Sequence, residues 1–365
     1  MAQVDKWKKV RQQAMLPKGK IYLNTAACGI PVPSTIQAEK KWLKEYQQDP
    51  WQFMVEWMLQ HRGQVRSDLA NFLGVSQKEL ALGQNFSVPL RLLTPALPGK
   101  RFMVIEDDYP PLMMPLALHD KELIPFPLNA NKSFDEKALL TALKKEKPDW
   151  FAFSHTQHLT GQVIDIETIV KECKKLGIRV LVDLTQTIGA ATISFKHIDV
   201  AVASCYKWMM AGFGNGFCYV NDALQPKLQF SKQGANHLSH WSHEMHTDPL
   251  HLFLEPGHLD HAPFARLQQA VVDQKKLGPK SIEKQIAFLT TQFLKGLKKL
   301  KIEPVGGWDI KRHGIISIPY TAKRMADLKK RNIVCVKRGD GIRISPHIYN
   351  TPGEINILLK TLSGK

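Results

Sequence analysis

The chain is poor in cysteine and has no long apolar segment. Its 365 residues include five cysteines, and no two of them form a Cys-x-x-Cys pair. A scattered, odd-numbered set favours a reducing cytoplasmic compartment and argues against a structural metal site. No apolar run approaches the ~18 residues that a membrane span needs, and residues 1–9 lack the apolar core of a signal peptide. We therefore expect a globular cytoplasmic protein that binds no metal and no membrane.

Acidic residues are scarce relative to basic ones. The formal charge is +17, from 50 lysines and arginines against 33 acidic residues. The surplus is largest in residues 271–365, which hold 20 lysines and arginines against 7 acidic residues. These lysines recur at helical spacing between apolar residues, as on a solvated helix face. Because no aromatic platform or nucleic-acid motif accompanies them, we predict no nucleic-acid partner.

Short apolar segments alternate with amphipathic ones through most of the chain. The strand candidates, rich in Val, Ile, Phe and Ala, are 101–106, 122–126, 150–154, 178–183, 199–204 and 216–220. The helix candidates before and between them are 35–48, 54–73, 87–95, 135–146 and 166–176. Such alternation predicts an α/β fold in which helices cover both faces of a mostly parallel sheet. Ligands bind such sheets beyond the carboxyl ends of the strands.

The pattern changes after the last of these strands. Residues 231–262 contain many histidines and little periodicity, as in a long excursion between domains. The segments that follow are a helix, three short strands and a final helix, at 264–300, 314–318, 332–337, 341–345 and from 352 onward. They predict a smaller α+β C-terminal domain. We expect a large ligand-binding domain over 21–255, a small domain over 256–365, and an N-terminal segment, 1–20, that packs on the small domain.

Two residues at the ends of neighbouring strand candidates indicate a cofactor site. Asp183 ends the segment 178–183, and Lys207 follows 199–204 just before the glycine-rich 211–216. A lysine can form an imine with the aldehyde of pyridoxal 5′-phosphate (PLP), and a carboxylate can keep the pyridine nitrogen protonated. Each residue alone has an ordinary explanation, as a helix cap or a solvated lysine. Together, followed by glycines that let a ligand approach the backbone, they predict a PLP site.

Other residues near strand ends are candidates for the remaining parts of the cofactor. Ser87, at the start of a helix, and Ser204 offer hydroxyls to the phosphate, beside backbone amides at the helix start. Alternatively, Ser87 only caps that helix. Tyr109, after strand 101–106, could stack on the pyridine ring or only pack at the rim of the pocket. Gln186 could donate a hydrogen bond to the phenolic oxygen of PLP.

An arginine and a histidine are candidates for contacts with the substrate. Arg343 lies in a short strand candidate, and its guanidinium fork matches the carboxylate of an amino acid bidentately. An arginine on a half-exposed strand is common, so this prediction depends on the residues around it. His158 is a pocket acid–base group or cofactor contact, or an ordinary core histidine. We therefore expect a small-molecule amino-acid substrate.

In this order, the motifs resemble the class V aminotransferase group of fold-type I PLP enzymes, which includes cysteine desulfurases and kynureninases. The shared motifs are Asp-x-x-Gln, Ser-x-x-Lys and an arginine followed by Tyr-Asn-Thr, at 183–186, 204–207 and 343–351. The resemblance implies that Lys207 carries the internal aldimine, that Asp183 pairs with the pyridinium and that Tyr109 stacks on the ring. It also implies that Arg343 takes the substrate carboxylate and that the protein is a homodimer. The implied phosphate contacts are the Phe86 amide, Ser87, Tyr206 and Trp241.

Within this group the chain is most similar to the kynureninase branch. The similar stretches are 157–162, 206–207, 241–244 and 341–343, and the departures are at 25–29, 111–112, 186 and 261–263. Desulfurases carry a nucleophilic cysteine just before the carboxylate-binding arginine, and 338–342 contains none. We predict a PLP-dependent aminotransferase acting on the α-amine of an amino acid. The alternatives are a kynureninase-like hydrolase or lyase and a non-catalytic PLP-fold binding protein.

Overall fold

The computed structural model describes residues 2–229 and 248–364. In chain order its strands are β1 (Ile21–Tyr22), β2 (Leu80–Gly83), β3 (Arg101–Ile105), β4 (Glu122–Phe126), β5 (Trp150–Ser154), β6 (Arg179–Asp183), β7 (Val200–Ser204), β8 (Gly216–Val220), β9 (Ile316–Pro319), β10 (Ile333–Val334), β11 (Val336–Arg338) and β12 (Gly341–Ile344). Its α-helices are α1 (Ala2–Gln13), α2 (Pro33–Gln48), α3 (Pro50–Glu56), α4 (Arg62–Leu73), α5 (Ser87–Leu93), α6 (Pro110–Leu118), α7 (Glu136–Glu146), α8 (Ile166–Leu176), α9 (Pro249–Leu254), α10 (Ala262–Leu277), α11 (Pro279–Lys299), α12 (Ala322–Lys330) and α13 (Pro352–Leu362).

A seven-stranded sheet in the order β2-β8-β7-β6-β5-β3-β4 forms the centre of the fold. The strands from β7 to β4 are parallel, whereas β8 runs antiparallel to both of its neighbours. All five residues of β5 are buried, because helices cover the sheet on both sides. Phe151 and Phe153 join one apolar layer with Leu69 of α4, while Trp150 joins the opposite layer with Leu90 of α5. The predicted helix-covered, mostly parallel sheet is therefore confirmed.

The C-terminal part forms a smaller α+β unit. Its antiparallel sheet has the order β11-β12-β9, and β10 pairs with β1 in parallel. Helix α1 contacts the same part of the chain, since both terminal nitrogens of the Arg11 guanidinium donate to the Glu354 carboxylate at 2.9 Å. Trp7 of α1 is buried in one apolar cluster with Ile282 and Ile286 of α11. The division at 21–255 and 256–365 stays a prediction.

Prolines and glycines account for several differences from the predicted elements. The predicted helix 54–73 consists of α3, a π-helical turn and α4. The predicted helix 264–300 is interrupted at Gly278, which has a positive φ of 78°, and Pro279 begins α11. Helix α6 was not predicted because it contains three prolines, and the four-residue strand β2 was not predicted either. None of the helices within 2–229 and 248–364 has the length and apolar character to cross a bilayer.

Candidate active site

The carboxyl edge of the large sheet carries the predicted cofactor residues. Asp183 and Ser204 are the last residues of β6 and β7, Lys207 follows β7, and Tyr109 follows β3. Because these strands are parallel, their ends lie at one edge. A cavity of about 460 Å³ there is lined by Lys207, Tyr109 and Ser204, and by further residues that include Phe86, Ser87, Thr185 and Tyr206.

Lys207 lies almost completely inside the protein, with 6% of its surface exposed. Burial lowers the pKa of its ammonium to about 8, against the opposing effect of Asp183, and Arg343 lowers it further. Its Nζ lies 5.5 Å from the ring centroid of Tyr109 and 5.6 Å from that of Tyr206. At pH 7 roughly a tenth of Lys207 is therefore the neutral, nucleophilic amine, far more than for a solvated lysine.

A close backbone approach helps to fix this lysine. The backbone N–H of Gly29 donates to the carbonyl of Tyr206 at 3.0 Å. A Cβ atom at position 29 would lie only 1.8 Å from the Lys207 carbonyl oxygen. Glycine is therefore required where the loop after β1 passes the lysine.

Asp183 is buried and held by hydrogen bonds from its surroundings. Its Oδ1 accepts from the Thr185 backbone N–H at 2.7 Å, and its Oδ2 accepts from the Ser154 hydroxyl at 3.4 Å. Burial raises the pKa of the carboxyl to about 6, while Thr185 and Lys207 oppose the shift. The group is therefore mostly ionised at neutral pH. Thr185, which also accepts from the Ser204 N–H at 3.1 Å, was missed although it lies within the Asp183–Gln186 motif.

The amides at the start of α5 already have acceptors within the protein. The Phe86 N–H donates to Ser204 Oγ at 2.8 Å, and Asn85 Oδ1 accepts from the N–H groups of Ser87 and Val88. Asn85, rather than the predicted Ser87, thus supplies the capping oxygen. These amides are therefore not free for a phosphate, which could use the Phe86 amide only by replacing Ser204. The exposed Ser87 side chain is the more available group on the cavity wall.

Gln186 links two parts of the backbone around the site. Its Nε2 donates to the Ala26 carbonyl at 3.0 Å, and its Oε1 accepts from the indole N–H of Trp208 at 2.8 Å. One amide hydrogen is left for the predicted contact with the cofactor. The contacts that the structure shows give Gln186 a positioning role beside Lys207.

Arg343 and His158 lie together on the side of the site that faces the small sheet. Arg343 Nη1 donates to the His158 carbonyl at 3.0 Å, and the His158 ring packs edge-on against Tyr109 at 5.5 Å. Burial, and then Arg343, lower the pKa of His158 to about 3, so this imidazole is neutral at physiological pH. Among the described residues, Arg343 Nε and His158 Nδ1 are buried without a hydrogen-bond partner. Such atoms are expected where a ligand supplies the missing partner.

These residues fit the chemical needs of PLP. The cofactor requires an amine for its aldehyde, a carboxylate for its pyridine nitrogen and donors for its phosphate. Lys207 and Asp183 provide the first two, and Tyr109 offers a ring beside the lysine. The predicted phosphate contact Trp241 lies outside the described residues. Within 2–229 and 248–364 there is no group of three or more His, Cys, Asp or Glu residues that could hold a metal ion.

Solved structures share this fold over nearly the whole chain. The apo cysteine desulfurase from Thermococcus onnurineus NA1 is similar with a TM-score of 0.81 and 18% identity, over 98% of this chain and 97% of that one. A C-DES mutant with glycine covalently linked to its PLP cofactor has the same TM-score and identity, over 97% of this chain and 98% of that one. At such identities the likeness establishes the fold.

Sequence comparison then gives the family. The family profile described as aminotransferase class-V matches residues 21–358. The chain therefore belongs to the class V aminotransferase family. The isopenicillin N epimerase of Amycolatopsis lactamdurans is 23% identical, over 98% of this chain and 98% of that protein.

Proposed function

We propose that this chain is a PLP-dependent enzyme that acts on the α-amine of an amino acid, most simply an aminotransferase. The observation that carries the proposal is the meeting of Lys207 and Asp183 in one buried site, where each affects the pKa of the other. An amine and a carboxylate in this arrangement can hold the two ends of a pyridoxal ring. Membership of the class V family supports the same cofactor.

The residues around the cavity have distinct roles in this proposal. Lys207 would hold the cofactor through its aldehyde, Asp183 would keep a proton on the pyridine nitrogen, and Tyr109 would cover the ring. Ser87, Tyr206 and the Phe86 amide are the described candidates for phosphate contacts, with Ser204 holding that amide. When bound, PLP supplies an aldehyde that takes up amines and a ring that accepts the electron pair released at the substrate α-carbon.

The lysine is suited to moving a proton at the substrate α-carbon. Because the pKa of Lys207 is lowered to about 8, Nζ can accept a proton from the substrate α-carbon and return it near neutral pH. The buried guanidinium of Arg343 binds the substrate carboxylate and so orients the α-carbon–hydrogen bond towards the lysine. The neutral His158 imidazole accepts or donates a hydrogen bond without adding charge.

Two further parts of the proposal concern assembly and location. We propose that the protein is a cytoplasmic homodimer, as the class V resemblance implies. Large apolar side chains are exposed around α2, α3 and the π-helical turn, which supports a subunit interface there: Leu43, Tyr46, Trp51 and Leu59. An apolar patch of this kind commonly marks a protein–protein contact.

The proposal is tested by trapping the cofactor on its lysine. Purified protein is loaded with PLP, reduced with borohydride and digested, and the modified peptide is identified by mass spectrometry. We expect the adduct on Lys207 and its loss in Lys207→Ala. Lys121→Ala is the control, since the Lys121 ammonium is also partly buried but donates to Leu97 and Gly99 carbonyls elsewhere. An adduct on another lysine, or none, would refute the proposal.

A substrate screen then distinguishes the reactions. Amino acids are incubated with the PLP-loaded protein and a keto acid in deuterated water. An aminotransferase forms a new keto acid and a new amino acid. Deuterium at the α-carbon with inversion and no transfer would indicate an epimerase, the activity named for the relative described above. Side-chain cleavage of kynurenine would indicate the kynureninase-like alternative. A PLP adduct without any of these reactions would support the non-catalytic alternative.

A further inference from the structure

A second cavity lies beside the Lys207 pocket and has no role in the chemistry described so far. It has a volume of about 330 Å³, and its wall includes His158, Ser317, Arg338 and Gly341. His158 separates it from the first cavity, since the histidine ring packs against Tyr109, which lines the Lys207 pocket. A substrate held near Lys207 would therefore have this chamber beside it, on the other side of the His158–Tyr109 ring contact.

Strand register places Arg338 on the same side of the small sheet as Arg343. In the antiparallel pair β11–β12, Val336 pairs with Arg343 and Arg338 pairs with Gly341. Paired residues, and residues two positions apart along a strand, share a face. Arg338 and Arg343 are therefore diagonal neighbours on one face, where such residues are typically about 7–8 Å apart. Gly341, directly opposite Arg338, leaves this part of the wall without a side chain.

The two arginines have no carboxylate partner among the described residues. The ion pairs found within 2–229 and 248–364 include neither Arg338 nor Arg343. Arg338 is close enough to lower the pKa values of both Arg343 and His158. Two like charges that are neighbours on one face of a sheet repel each other, and a bound counter-charge relieves that repulsion.

The acidic residues of the cavity do not supply that counter-charge. Asp107 pairs with Lys132 at 2.8 Å. Both oxygens of Asp108 accept backbone N–H groups, from Tyr109 and Ser154, and burial raises the pKa of its carboxyl. Asp340, in the turn between β11 and β12, is the one remaining carboxylate on the described wall. Arg343 does not line the chamber, but on the sheet face that it shares with Arg338 two cations have one free acid nearby, which favours an anion between the two guanidinium groups.

We propose that this second cavity binds a carboxylate on the substrate side chain and that Arg338 is the residue that contacts it. The substrate class is then an amino acid with a second acidic group: Arg343 takes the α-carboxylate and Arg338 takes the distal one. This assignment rests on the proposed function, because it uses the substrate position that Lys207 and Arg343 define. Arg338 thereby selects acidic over neutral amino acids.

The test measures binding rather than turnover. Succinate, glutarate and adipate are titrated calorimetrically into the PLP-loaded protein at fixed salt, with butyrate as the monocarboxylate reference. We expect one of the dicarboxylates to bind at least about tenfold more tightly than butyrate, because charge-assisted hydrogen bonds at Arg338 add to those at Arg343. Arg338→Gln should remove this preference, so that the dicarboxylates bind no more tightly than butyrate does to the same variant.

Lys337→Gln is the matched control, since it removes the same charge from the adjacent residue of β11. Lys337 pairs with Ile342 on the other face of the sheet, and its ammonium lies over the Tyr320 ring. This variant should keep the dicarboxylate preference. Equal binding of butyrate and all three dicarboxylates, or a preference that survives Arg338→Gln, would overturn the subsite. In that case a PLP adduct at Lys207 and reaction with neutral amino acids would leave the proposed function standing. Loss of the adduct would refute the function itself.

Discussion

The two sides of the candidate site differ in how their buried polar groups are satisfied. On the large-sheet side, Asp183, Gln186 and Ser204 all have hydrogen-bond partners within the protein. On the small-sheet side, Arg343 Nε and His158 Nδ1 are buried without a partner among the described residues. These three large-sheet residues are thus satisfied without a ligand, whereas the two small-sheet residues are not.

This difference indicates that the large-sheet side serves the cofactor chemistry and that the small-sheet side serves substrate binding. A buried polar group left without a partner costs about 1–3 kcal/mol, and a ligand that supplies the partner recovers that free energy on binding. The large-sheet side is preorganised, as chemistry at a fixed cofactor requires. The small-sheet side is arranged to gain from substrate binding. Substitutions on the first side should therefore reduce turnover or stability, and those on the second should reduce substrate affinity.

The largest effect is expected for Asp183→Asn. The amide has nearly the shape of the carboxylate and can keep the bond from Thr185, but it cannot carry the charge that keeps the pyridine nitrogen protonated. We expect kcat to fall at least about a hundredfold, with the PLP adduct at Lys207 retained, as measured by steady-state kinetics and visible absorbance. Asp199→Asn is the control, because Asp199 accepts the Val180 N–H at the other end of the same strands. Wild-type turnover in Asp183→Asn would contradict the assigned role.

A smaller effect, on a different kinetic constant, is expected for Arg343→Gln. Loss of charge-assisted hydrogen bonds to the substrate carboxylate removes about 1.5–3 kcal/mol of binding. This corresponds to a KM for the amino acid that is about 10- to 100-fold higher, with the cofactor spectrum unchanged. The KM of Arg343→Lys should lie between those of the wild type and Arg343→Gln, because lysine keeps the charge but loses the planar fork. A fall in kcat at constant KM would instead show that Arg343 affects turnover, as the large-sheet residues do. The proposed difference between the two sides would then be wrong.

The large-sheet side was the more predictable of the two from the sequence. Its strands are continuous apolar runs between amphipathic helices, so the positions of Asp183 and Lys207 at strand ends follow from local pattern alone. Their meeting follows from the parallel order of β6 and β7, which the alternation of elements implies. The helix-covered sheet and the smaller C-terminal unit were predicted for the same reason.

Details that depend on packing and register could not be predicted. Asn85 rather than Ser87 supplies the capping oxygen because the Phe86 amide turns towards Ser204, a contact between segments 118 residues apart. Arg338 becomes a neighbour of Arg343 only through the pairing of β11 with β12. No single-sequence pattern specifies such a register, since the short strands of the small sheet lack a clear alternation of apolar and polar residues.

The smallest expected effects are the changes in stability on substitution of Ser204 and Ser87, the two serines that were both predicted to contact the phosphate. Ser204 Oγ accepts the buried Phe86 N–H, so Ser204→Ala should leave that donor unpaired and lower the free energy of unfolding by about 1–3 kcal/mol. Ser87 is exposed and lines the cavity, so Ser87→Ala should change stability by less than about 0.5 kcal/mol. Urea unfolding of the PLP-free protein measures both values.

The loss of PLP affinity should instead be larger for Ser87→Ala than for Ser204→Ala. If Ser87 contacts the phosphate, Ser87→Ala weakens PLP binding in equilibrium dialysis while the PLP-free protein stays as stable as the wild type. Ser204→Ala frees the Phe86 amide to donate to the phosphate, so its PLP affinity should fall less than its stability does. A Ser204→Ala variant with wild-type stability and much weaker PLP binding would show that this hydroxyl serves the ligand, not the backbone. The large-sheet side would then be incomplete without its cofactor, as the small-sheet side is without its substrate.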